Sequence, residues 1–105
     1  MPTKTFANTP VELNDEGFFV KPEQWTREMV PELARAEGIE GLGDRHWLVI
    51  EFMRKAFLEQ GTGPSVRALS KSSGVAIKEL YTLFPGGPAK VAARIAGIPK
   101  PRGCI

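Results

Sequence analysis

Apolar and polar residues alternate at short range over the first twenty positions, and from there the apolar positions recur every three or four. Residues 4–7 and 11–13 read as two short strands joined by Asn8-Thr9-Pro10, and Asn14-Asp15-Glu16-Gly17 reads as a turn before Phe18-Phe19-Val20. This predicts a small amino-terminal β-meander whose apolar side needs a helical layer. From Lys21-Pro22-Glu23 the pattern becomes helical through Trp25, Met29, Leu33 and Ala36, and it ends at Gly38. Pro31 falls inside that run and should kink it or divide it in two.

Asp44 is the expected N-cap of the longest helix. Trp47, Ile50, Phe52, Met53, Ala56, Phe57 and Leu58 give this helix a broad apolar stripe, and Arg45, Glu51, Arg54, Lys55 and Glu59 are expected to face water. Gly61-Thr62-Gly63-Pro64 stops it. Ser65 opens a helix through Val66, Ala68 and Leu69 that closes at Ser73-Gly74, and Ile77, Leu80, Tyr81 and Phe84 mark another, ended by Pro85-Gly86-Gly87-Pro88. Ala89, Val91, Ala92, Ile95 and Ala96 form the last helix, finished by Gly97. The expected architecture is α+β and mostly helical, in one domain over 1–105. Its parts are a β-element (1–20), a helical core (21–96) and a flexible carboxy-terminal arm (97–105).

The arm carries the chain's single cysteine, Cys104, in Gly97-Ile98-Pro99-Lys100-Pro101-Arg102-Gly103-Cys104-Ile105. Pro99 and Pro101 each fix φ and remove an N–H donor, so the segment cannot be helix or central strand. An extended, polyproline-like arm with pivots at Gly97 and Gly103 follows, able to carry a sulfur up to about 25–30 Å from the last helix. Cysteine is usually buried, and here only Ile98 and Ile105 offer apolar area to bury it with. The composition points to a working thiol.

Charge sharpens this picture. Residues 1–60 carry seven Lys/Arg against eleven Asp/Glu, whereas residues 61–105 carry seven Lys/Arg against Glu79 alone. The basic half carries the cysteine, so an acidic protein surface or a nucleic acid is the expected partner. A lone cysteine makes no intramolecular disulfide, no apolar stretch approaches the ~20 residues of a membrane span, and Met1-Pro2-Thr3-Lys4 opens no signal-peptide core. A cytoplasmic protein with no membrane partner is expected.

Other chemistry is thin. Ser65–Phe84 has the outline of a helix-turn-helix with basic residues at 67, 71 and 78, but the second helix offers only Lys78 and Glu79 as long polar side chains, without the Arg, Asn or Gln that read base edges. His46, the one histidine, has no companions for a metal site, and a surface role near a helix N-terminus is expected of it. The prolines of Pro85-Gly86-Gly87-Pro88 remove donors that a phosphate loop needs. Neither metal nor cofactor site is therefore expected. Lys100 and Arg102 should lower the pKa of Cys104, and the carboxylate of Ile105 should raise it by a similar amount, leaving an ordinary thiol that a partner's pocket or a cleft on the protein's own surface must activate.

Leu83-Phe84-Pro85-Gly86-Gly87-Pro88-Ala89-Lys90 and Ala96-Gly97-Ile98-Pro99-Lys100-Pro101-Arg102-Gly103-Cys104-Ile105, with Asp15-Glu16-Gly17-Phe18 and Gly63-Pro64-Ser65-Val66-Arg67, resemble the DsrC/TusE family over nearly the whole chain. The resemblance implies a helical fold with a small amino-terminal β-element and a carboxy-terminal arm. It also implies that Cys104 carries sulfur as a covalent persulfide, with Pro99, Lys100, Pro101, Arg102 and Gly103 shaping and docking the arm. Members of the DsrC branch, partners of dissimilatory sulfite reductase, have a second cysteine where this chain has Ala93, which implies simple carriage of the TusE kind instead. The implied partners are sulfur-donor proteins (TusBCD-like or DsrEFH-like) and an acceptor, either a tRNA thiolase or sulfite reductase, with tRNA met only indirectly. Such a protein is a sulfurtransferase-type carrier rather than a stand-alone enzyme. The alternatives are a DsrC-like partner of sulfite reductase and a helix-turn-helix nucleic-acid-binding regulator.

Overall fold

A computed structural model describes residues 3–101. The chain begins with an antiparallel hairpin, β1 (Thr3–Phe6) and β2 (Thr9–Glu12), in the register Thr3↔Glu12, Lys4↔Val11, Thr5↔Pro10, Phe6↔Thr9. Its loop is only two residues long. Ala7 and Asn8 both have positive φ (49° and 62°), the type I′ geometry that matches strand twist. Pro10 is tolerated within β2, one residue from the narrow pair that closes such a loop, because its missing N–H falls in a non-hydrogen-bonded pair with Thr5. The third strand of the expected meander is reduced to a single bridge between Leu13 and Phe19. Between them, Asn14 Oδ1 accepts from the N–H groups of Glu16 and Phe18 and tightens the turn.

The helix expected from Lys21 is broken into pieces. Pro22–Gln24 and Arg27–Met29 are single 3₁₀ turns, separated by extended backbone at Trp25 and Thr26, and the α-helix proper, α1, runs over Val30–Ala36. Pro31 sits in the first turn of α1, where its missing N–H costs nothing. It starts a helix here rather than kinking one.

The remaining helices are α2 (Asp44–Gln60), α3 (Val66–Ser73), α4 (Ile77–Leu83) and α5 (Pro88–Ala96). The N-cap of α2 is Gly43, one residue before the expected Asp44, and Asp44 instead lies in the first turn, where a carboxylate favours the helix dipole. Ser65 caps α3 by accepting from the Ala68 N–H (3.2 Å), and the α3–α4 turn is tied by Ser70 Oγ donating to the Val75 carbonyl (2.6 Å). α5 is the most enclosed helix, with Pro88, Ala89, Val91, Ala92, Ala93, Ile95 and Ala96 all buried. It packs on α1, α2, α3 and α4. The small side chains let the neighbours close in, so the end of α5, where the arm begins, is fixed from several sides.

Only part of the expected stripe on α2 is core. Val49, Ile50 and Met53 are buried, Phe52 and Phe57 are half-buried, and Leu58 is 69% exposed. Phe18, Phe19, Met29, Leu69, Leu80, Phe84, Ile95 and Ile98 are among the other large side chains that are fully buried. The mostly helical α+β architecture read from the sequence stands.

Candidate functional site

The site is the place where the last helix hands over to the arm. Gly97 ends α5 in the left-handed conformation (φ 68°), and the Ile98 N–H donates back to the Ala93 carbonyl at 3.1 Å. Glycine is required here twice over, by the positive φ and by the indole of Trp25, which a Cβ at position 97 would overlap. Trp25 Nε1 donates to the Ile95 carbonyl at 2.8 Å, so the extended break between the two 3₁₀ turns serves to lay this ring across the end of α5.

Arg54 locks the same corner. The guanidinium lies 4.2 Å from the centre of the Trp25 ring and donates to the Ala96 carbonyl (2.8 Å), with longer contacts to the carbonyls of Gly97 (3.4 Å) and Pro22 (3.5 Å). A cation on the carbonyl end of α5 is favoured by the helix dipole, and burial pushes the Arg54 pKa below its ordinary value. The sequence places Arg54 on the water-facing side of α2, and the structure corrects this. Its polar partners among the described residues are carbonyls distant in sequence, which helical periodicity does not reveal.

Beyond Gly97 the described part of the arm is docked. Ile98 is wholly buried, and Pro101 is buried as well. Both rest on Gly63, where a Cβ would lie 2.8 Å from Ile98 Cδ1 and 3.1 Å from Pro101 Cγ. Pro99 is half-buried, and Lys100 Nζ lies 3.1 Å from Glu16 Oε2 on the tightened amino-terminal turn. Lys100, expected to lower the pKa of the thiol and meet a partner, thus has a carboxylate of its own chain beside it. The pivot expected at Gly97 is the clamp point, and the reach must be recounted from Pro101. Cys104 follows Pro101 by three residues, a contour of at most about 11 Å. Arg102, Gly103, Cys104 and Ile105 lie outside the described residues.

Ala93 is fully buried in α5, and its carbonyl receives the N–H groups of Gly97 and Ile98. Arg94 beside it is half-buried, paired in bidentate fashion with Glu37 (both 3.0 Å). His46 is half-buried rather than a plain surface residue. Its Nδ1 accepts the Gly43 N–H (3.1 Å), so Nε2 carries the proton and donates to the Leu83 carbonyl (3.1 Å), tying the start of α2 to the end of α4. Among the described residues, no three His, Cys, Asp or Glu side chains group as metal ligands, and no helix is long and apolar enough to cross a membrane.

Fold and site together define a small α+β protein in which residues 98–101 are pinned at the end of its most enclosed helix. Comparison with known proteins narrows that class. A family model described as DsrC like protein matches residues 5–105, and the chain belongs to that family. It is 38% identical over 101 residues to the dissimilatory-type sulfite reductase subunit gamma of Nitratidesulfovibrio vulgaris, covering 96% of each chain. It is 39% identical over 107 residues to the sulfurtransferase TusE of Escherichia coli, covering 95% of this chain and 97% of that one. Among solved structures, the oxidized gamma-subunit of the dissimilatory sulfite reductase (DsrC) from Archaeoglobus fulgidus superposes with a TM-score of 0.83 at 34% identity, over 99% of this chain and 100% of that one.

Proposed function

We propose that this protein is a sulfur carrier that accepts and passes on persulfide sulfur at Cys104. The observation that carries the reading is the clamp around Gly97, Ile98 and Pro101, which anchors a short, proline-framed segment bearing the chain's only thiol. The relatives named sulfurtransferase TusE and sulfite reductase subunit gamma support carriage of sulfur in general. In the transfer, the Cys104 thiolate attacks the outer sulfur of a donor persulfide, R–S–SH. The donor's S–S bond breaks as the new one forms, which leaves R–S⁻ and Cys104–S–SH. The donor sulfur is reduced to a thiolate and Cys104 is oxidised to the persulfide, with no outside oxidant. Attack by an acceptor thiolate reverses the roles.

Ala93 favours single-thiol carriage over an internal disulfide cycle, since the position holds a methyl group sealed in the core. Identity alone does not separate the two branches, at 38% and 39%. Partners are sulfur donors and acceptors, a tRNA-thiolation system in the TusE-like reading and sulfite reductase in the other. Transfer of radiolabelled sulfur from a persulfide donor to wild type and to Cys104→Ser tests the reading. Label on the wild type alone supports it, and equal label on both contradicts it.

A further inference from the structure

Three large apolar side chains stand exposed among the described residues, and two of them, Ile77 (42%) and Tyr81 (49%), sit one helical turn apart on α4. With Lys78 and Thr82 they form the outward side of this helix, opposite the buried Leu80. The neighbouring helix α3 packs against α4 and exposes Arg67 and Lys71, also one turn apart. Arg67, Lys71 and Lys78 have no carboxylate partner among the described residues, whereas Glu79, the sole acid beyond residue 60, is held in a bidentate pair by Arg45 (2.7 and 2.8 Å). The α3–α4 unit therefore carries an exposed apolar pair on α4 and three exposed cations across its two helices, with its one carboxylate neutralised.

We propose that this face is a docking surface for an acidic protein, one whose carboxylates surround an apolar contact. The partner's role as sulfur donor or acceptor rests on the carriage reading, but the chemistry of the surface does not. A nucleic acid also satisfies three cations, but α4 presents isoleucine and tyrosine on its outward side where a reading helix presents Arg, Asn or Gln to base edges. Tyrosine and apolar residues at the centre, with charge at the rim, are the arrangement of a protein interface.

The test is amide chemical-shift mapping of the isotope-labelled full chain, titrated with a random copolymer of glutamate and tyrosine and, separately, with a short mixed-sequence DNA duplex. The expected result is that the copolymer shifts the amides of 77–82 with those of Arg67 and Lys71, more weakly as salt rises. Ile77→Ala and Tyr81→Ala should each raise the half-saturation point more than about fivefold, with thermal stability unchanged because both side chains are exposed. Lys78→Glu should do the same. Copolymer shifts that fall elsewhere or are absent overturn the proposal. So does duplex DNA that shifts these amides at lower concentration and is indifferent to Ile77→Ala and Tyr81→Ala. Cys104→Ser must leave the copolymer map unchanged, so a failure of sulfur loading and a failure of docking are read separately.

Discussion

Replacing Gly97 by alanine should be among the most damaging single-methyl changes in this chain. The left-handed backbone there (φ 68°) costs an alanine about 1–2 kcal/mol. The new Cβ would also overlap Trp25, so the indole must shift. That movement sacrifices the Trp25 Nε1 hydrogen bond to the Ile95 carbonyl, about 1 kcal/mol, and the stacking of Arg54 on the ring, about another 1 kcal/mol. The sum is roughly 3–4 kcal/mol, a large share of the ~5–15 kcal/mol available to a domain of this size. Gly74 is the internal control, since it has a similar φ (77°) at the end of α3 but a Cβ added there would meet no heavy atom within 4 Å. Gly74→Ala should therefore cost only the backbone share, about 1–2 kcal/mol. In denaturant melts the two variants should differ by about 2 kcal/mol, and their melting temperatures by about 8–16 °C. In a Trp25→Ala background the extra cost of Gly97→Ala should vanish. Equal destabilisation by Gly97→Ala and Gly74→Ala would refute the clamp.

Three further outcomes follow from individual contacts. Arg45 holds the Glu79 carboxyl below the usual carboxylate range, chiefly by hydrogen bonding. Glu79 therefore favours the folded state above about pH 4.3, a benefit lost as the pH falls through its lowered folded value. The melting-temperature gap between wild type and Glu79→Gln should be present at neutral pH and close in strong acid, and a gap that widens on acidification contradicts this sign. Both side chains are well open to solvent, so screening should keep the gap small. Glu16→Gln removes the exposed pair with Lys100 and should change stability by less than about 1 kcal/mol in a chemical melt, because Ile98 and Pro101 hold the arm without it. His46→Ala leaves the Gly43 N–H and the Leu83 carbonyl without their shared partner and should cost about 1–2 kcal/mol by the same assay, with Asn restoring part of it through the Gly43 contact.

The helical half of the fold was legible in the sequence because its punctuation is strong. Ser65, Gly74, the Pro85–Pro88 stretch and Gly97 sit at helix ends where capping and left-handed backbone leave few alternatives. The amino-terminal third was less so. A period of four through Trp25 and Met29 imitates a helix, but the indole is needed at the end of α5, and tertiary contact overrode the local pattern with two 3₁₀ turns. Pro10 hid the true extent of β2, since a sequence does not state which strand positions lack a ladder hydrogen bond. For the site, the motif around Cys104 was visible, but the docking of Ile98 and Pro101 was not. A burial partner such as Gly63, a residue with no side chain, leaves no apolar signal. Arg54 was misplaced because a long cation on a mostly polar helix face reads as solvated unless the carbonyls that receive it are known.

The central claim is that the Cys104 thiol takes up a single sulfur atom reversibly. Intact-mass measurement of the full chain, before and after incubation with a persulfide donor and again after treatment with a reducing agent, addresses it directly. Sulfur carriage requires a gain equal to one sulfur on the wild type, its removal by the reductant, and no gain on Cys104→Ser. An unchanged wild-type mass, or the same gain on the serine variant, would contradict it.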